Sequence, residues 1–80
     1  MIHELKILPE HFQPVADGLK LPEVRKNDRG FSVGDYLILK EWTDEGGYSG
    51  RIVVRKIIHI SDIGSYLPSY VLLSMEKLDD

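Results

Sequence analysis

Arg51–Ile60 reads RIVVRKIIHI, ten residues in which β-branched side chains fall on both phases of a two-residue period. A helix would scatter Ile52, Val54, Ile58 and Ile60 around its axis, whereas a strand gathers them on one side and Arg51, Val53, Arg55, Ile57 and His59 on the other. The segment is therefore predicted to be a strand. Arg51 and Arg55 are expected on its outward side.

Shorter runs share this character. His3–Leu8 alternates weakly and is expected as a first strand ended by Pro9. LPEVRK (21–26), YLILKEW (36–42) and SYVLLSMEKL (69–78) supply further strands, with Glu23 and Arg25 on one face of the second and Val24 on the other. TDEGGYSG and SDIGSYLP have loop composition, and NDRG (27–30) has turn chemistry. Between the first two strands, Phe12, Val15, Ala16 and Leu19 recur at helical spacing, and Gly18 is placed to supply a left-handed cap. Pro14 delays the predicted helix start to His11 or Phe12, so that the proline falls in the first turn.

The expectation is one domain over residues 1–80, without repeats or linkers: a mainly β (α+β) fold of about five strands with one short helix. Closing such a sheet into a small β-barrel removes the exposed edges that would otherwise pair with other chains.

The chain has no cysteine, which excludes disulfides, thiolate–zinc sites and cysteine nucleophiles. His3, His11 and His59 lack ligand-like spacing, so they are read as surface or strand-end residues, with no metal or cofactor expected. Neither a glycine-rich phosphate loop nor a G-x-S-x-G elbow occurs. Apolar runs are far shorter than the ~20 residues of a membrane span, and no signal-peptide pattern opens the chain. A cytoplasmic, non-membrane protein is expected.

Charge is distributed unevenly. Residues 18–56 hold eight Lys/Arg against six Asp/Glu, a net of +2, within a chain whose formal net charge is −3. Such a chain is too acidic to coat nucleic acid indiscriminately, but a local anion site is compatible with it. Lys20, Arg25, Lys26 and Arg29 lie within ten residues and surround Glu23. A guanidinium there could meet a phosphate or base edge in bidentate fashion; the same spacing also fits a solvated strand edge with an ordinary ion pair.

The string G-x-K-x-x-E-x-R (Gly18, Lys20, Glu23, Arg25), followed by V-G-D (Val33–Asp35), resembles the ASCH family of the PUA-like superfamily. HELKILPEHF, EVRKNDRGFSVGD and YSGR more closely resemble its small bacterial and phage branch of unknown function. This resemblance implies a PUA-like barrel whose helix and barrel enclose a cleft that binds RNA or a nucleotide-like ligand. Lys20, Glu23, Arg25, Lys26 and Arg29 would line it, while Gly34 and Asp35 would shape a turn. Among aromatic residues, Tyr48 is expected to be exposed beside the site, and Phe31 and Trp42 to serve the core. Arg51 would extend the patch.

Some ASCH relatives are amidohydrolases acting on acetylated cytidine with a lysine, a threonine and a glutamate, and others are described as ribonucleases. Lys20 matches that lysine, but Glu23 stands at the threonine position and Leu21 follows the lysine, so the hydroxyl is missing. Lys20 and Glu23 are the catalytic candidates of this alternative, with Glu76 a match to the glutamate. A protein-interaction module binding an acidic peptide is the third reading.

Overall fold

A computed structural model of the 80-residue chain describes residues 1–19 and 22–78. β1 (Ile2–Ile7) alternates strictly, burying His3, Leu5 and Ile7 and exposing Ile2, Glu4 and Lys6. It ends where Pro9 restricts Leu8 to an extended backbone (φ −71°, ψ 150°).

The same proline opens α1 (Pro9–Ala16), because its fixed φ suits a first helical residue. The helix thus begins two to three residues before the predicted start, and Pro14 lies inside it. The helical partner that Pro14 cannot bond is the carbonyl of Glu10, an exposed residue open to water. Phe12 and Val15 are the buried face of α1. Its end follows local chemistry: Gly18 adopts φ +76°, the Gly18 amide donates to the Val15 carbonyl (3.0 Å), and the Leu19 amide donates to that of Pro14 (2.9 Å).

β2 (Pro22–Lys26), β3 (Tyr36–Thr43), β4 (Gly47–Asp62) and β5 (Tyr70–Lys77) complete a five-stranded sheet in the order β1-β3-β4-β5-β2. β1 runs parallel to β3, and the other pairs are antiparallel. The sheet curls into a half-barrel around Leu37, Leu39, Ile57, Leu73 and Met75, with Phe12 and Val15 of α1 packed into its concave face. β1 and β2 are its two outer strands. No backbone ladder joins them among the described residues.

β4 is longer than predicted, because GYSG (47–50) belongs to the strand and only a tight turn remains, pinned by the Gly46 amide donating to the Thr43 hydroxyl (2.9 Å). Its inward face also differs from expectation. Leu37 stands opposite Arg55, so Arg55 and Ile57 point inward while Ile52 and Ile58 are exposed. An irregularity between Ile57 and His59 then shifts the phase and returns Ile60 to the core. Arg55, expected outside, is 6% exposed; its guanidinium donates to the carbonyls of Val15 (2.7 Å) and Val54 (2.8 Å). It caps the C-terminal end of α1, where a cation is favoured.

Candidate functional site

β2 inverts the usual pattern of a strand that packs on a core. Val24 is 47% exposed, whereas Glu23 is 5% exposed and Arg25 half-buried on the inward face. A carboxylate in that position needs a cation and hydrogen bonds to offset its lost hydration. Arg25 supplies both: Nε donates to Glu23 Oε2 at 2.8 Å, and Nη2 lies 2.7 Å from the same oxygen. Nη2 also donates to the Lys6 carbonyl at 2.9 Å. One side chain thereby bridges the seam between the two unladdered strands. Nη1 makes no hydrogen bond to a described residue.

Two hollows follow this seam. One, of about 670 Å³, runs from His11 on α1 past Glu23 and Arg25 to Tyr70 and Leu72 on β5. The other, of about 390 Å³, lies among Lys6, Arg25, Lys26, Arg29, Phe31 and Tyr48, with Glu4 and Asp28 also at its wall. Lys26 and Arg29 are exposed, and neither has an ion-pair partner among the described residues. The seam is thus cationic at its lip and holds one buried carboxylate behind it.

The loop carrying Arg29 is built by its own residues. Asn27 Oδ1 accepts from the Phe31 amide (3.3 Å), Gly30 takes φ +64°, and the Asn27 amide donates to the Ser69 carbonyl (2.8 Å). Phe31 then plunges into the core, meeting the His3 ring edge-on at 4.8 Å between centroids. Asp35 closes the turn as expected, accepting from the Ser32 amide (3.0 Å). It also contacts His3 Nε2 (2.8 Å) and the Met1 α-amine (3.1 Å). The His3 hydrogen bond above all, with those of the α-amine and Ser32, holds the Asp35 carboxyl down at about 2.

His3, read as a surface or strand-end residue, lies at the start of β1 with its side chain buried, 4% exposed. Its phase with Leu5 and Ile7 on β1 carried that information. Trp42 is half-buried beneath Lys6, whose Nζ lies 4.4 Å from the ring centroid. Tyr48 is 56% exposed, with Lys40 Nζ 5.5 Å from its centroid. Lys40 is paired with Glu4, an ion pair that lowers the Glu4 pKa and raises that of Lys40.

Glu23, Arg25, Lys26, Arg29 and Tyr48 therefore gather along one seam. Arg51 does not line these two hollows: its guanidinium donates to Gln13 (2.8 Å), lies 3.6 Å from Glu41, and covers the Phe12 ring at 4.7 Å. Glu76 is exposed, out of phase with the inward Leu73 and Met75, and so faces away from Glu23. Lys20 and Leu21 lie outside the described residues. No three His, Asp or Glu side chains among the described residues converge to hold a metal ion, and no described helix is long and apolar enough to cross a membrane.

A protein of Escherichia phage P2, described as "Uncharacterized 12.9 kDa protein in GpA 3'region", is 43% identical over 72 residues. The match takes in 90% of this chain and 65% of the phage protein, so the chain spans about two thirds of that relative's length. Residues 2–75, which include every strand of the seam, match the family model described as "Domain of unknown function (DUF3850)". The chain belongs to the DUF3850 family.

Proposed function

We propose that the seam between β1 and β2 binds RNA or a nucleotide-like ligand, with Arg25, Lys26 and Arg29 meeting its anionic groups. The observation that carries this reading is the buried Glu23 carboxylate gripping Arg25, which holds a guanidinium at the seam beside two exposed cations that have no ion-pair partner among the described residues. A preset guanidinium loses little side-chain freedom on binding and offers planar, forked donors to a phosphate or base edge. The acidic remainder of the chain repels polyanions, which confines binding to this locality. Resemblance to ASCH domains of the PUA-like superfamily through Gly18, Lys20, Glu23 and Arg25 supports the same ligand class, and a curled five-stranded sheet fits it.

The test is a backbone amide titration with nucleoside monophosphates and short single-stranded RNAs at two salt concentrations. Shifts should cluster on Glu23–Arg29 and weaken with salt, by a log–log slope of ~0.7 per phosphate neutralised on a single strand. The double variant Lys26→Glu, Arg29→Glu should lose them while remaining folded, because both side chains are exposed. Unchanged affinity in that folded variant refutes the proposal, and a preference for an acidic peptide at the same amides would replace RNA with a protein partner.

A further inference from the structure

The seam does not end at Arg29. Its second hollow is walled by Tyr48, and Tyr48 also lines a third hollow, of about 240 Å³, formed with Lys40, Gly50, Arg51 and Ile52. The first and second hollows share Lys6, Arg25 and Lys26 as walls, and the second and third share Tyr48. They make a path from α1, across the lip of β1, to the outward face of β3 and β4.

Tyr48 is set firmly in that path. It pairs with Trp42 across the β3–β4 hairpin, so its backbone is fixed while its ring stays 56% exposed. Beside it, Ile52 is 54% exposed on the same outward face, and Lys40 Nζ stands 5.5 Å from the ring centroid. An exposed aromatic ring beside an exposed apolar side chain suits an unpaired base, whose face stacks on the ring. Duplex bases are already stacked and cannot present a face in this way.

Resting on the reading of the seam as a nucleotide site, we infer that the ligand is a single-stranded RNA segment, a dinucleotide or longer, whose chain leaves the seam past Lys26 and Arg29 and stacks its next base on Tyr48. A lone nucleotide fills only the seam. The geometry therefore makes chain length, and the Tyr48 ring in particular, a determinant of affinity that the seam cations do not control.

The experiment compares uridine monophosphate with a single-stranded pentauridylate, by amide shifts and by fluorescence anisotropy at fixed salt, for the wild type, Tyr48→Ala, Tyr48→Leu and Tyr48→Phe. Pentauridylate should bind the wild type more tightly and shift the amides of Gly50–Ile52, which the mononucleotide leaves still. Tyr48→Ala and Tyr48→Leu should weaken pentauridylate ~10-fold or more, the usual cost of removing a stacking platform, and weaken the mononucleotide far less; Tyr48→Phe should retain wild-type affinity. Tyr48→Leu preserves an apolar, strand-compatible side chain, so its loss of affinity reports the ring and not the fold. Seam shifts without gain from pentauridylate, or with gain indifferent to Tyr48→Leu, overturn the inference and leave the seam reading standing. Silence of the seam amides with both ligands overturns the seam reading and this inference together.

Discussion

Replacing Arg25 with lysine isolates what the guanidinium does at the seam. The arginine makes contacts in two directions, to Glu23 Oε2 and to the Lys6 carbonyl, and the second is the direct side-chain bridge between β1 and β2. A lysine keeps the charge beside Glu23, but its single ammonium cannot occupy both the Nε and Nη2 positions. The charge-assisted bond to Lys6 is then lost, worth ~1.5–3 kcal/mol in general. Arg25 is 24% exposed, and solvent screening reduces that to ~1–2 kcal/mol. In a domain of this size each kcal/mol moves the melting temperature by ~4–8 °C, so a fall of ~5–15 °C is expected. Thermal unfolding followed by circular dichroism measures it, and hydrogen exchange should show faster opening of β1 and β2 with little change in β3. Arg25→Lys melting like the wild type, with both outer strands exchanging at wild-type rates, would refute the claim that this side chain holds the seam.

Two further perturbations probe the rest of the framework. Asp35 titrates at about 2 in the folded chain against an ordinary 3.8, so its stabilising contribution is complete above about pH 4 and disappears as pH falls through about 2. Asp35→Asn should flatten the pH dependence of unfolding in that window, and an identical acid transition in the variant would show that the His3, α-amine and Ser32 contacts do not favour the charged form. Arg55→Ala removes a buried guanidinium from two carbonyls and the packing of its stem, which should destabilise by ~2–4 kcal/mol and loosen α1 first in hydrogen exchange. Uniform loss across the sheet with α1 unchanged would remove Arg55 from its capping role.

Local chemistry was readable where the determinants lie close in sequence. Gly18 announced its left-handed cap because helix endings are written within a few residues. Glu23 and Arg25 had to share a strand face, and Tyr48, set among glycines, had to stay outside the core. What could not be read was which face of a two-faced strand turns inward. Ile52, Val54 and Ile58 made one side of β4 the more apolar, yet the buried residues, Arg55 and Ile57, stand on the opposite side, where Arg55 meets the end of α1. Arg51 shows the same limit: its partner Gln13 is 38 residues away, and only the fold brings them together. Pro9 was readable as a strand ending but equally as a helix opening, and the chain uses it for both.

The inverted polarity of β2 and the incomplete closure of the sheet share one physical cause. Unladdered outer strands present backbone groups that invite pairing with other chains, and full barrel closure would remove them. Here Pro22 lacks the donor that a second ladder would need at the start of β2. Further along, the Arg25 side chain occupies the seam with its guanidinium on the Lys6 carbonyl, where a closed barrel would place backbone. The strand must then carry Glu23 inward to hold that guanidinium, and Val24 is displaced to the exposed face. A strand that breaks the apolar-in pattern, with its own compensating ion pair, marks a position where the chain forgoes packing for an open slot. The lip of the slot is cationic through Lys26 and Arg29, and the slot reaches Tyr48 because β1, its other lip, lies beside β3. If the outer strands were laddered, the Lys26 and Arg29 side chains would remain on the surface, but the guanidinium between them and the path it opens would be gone.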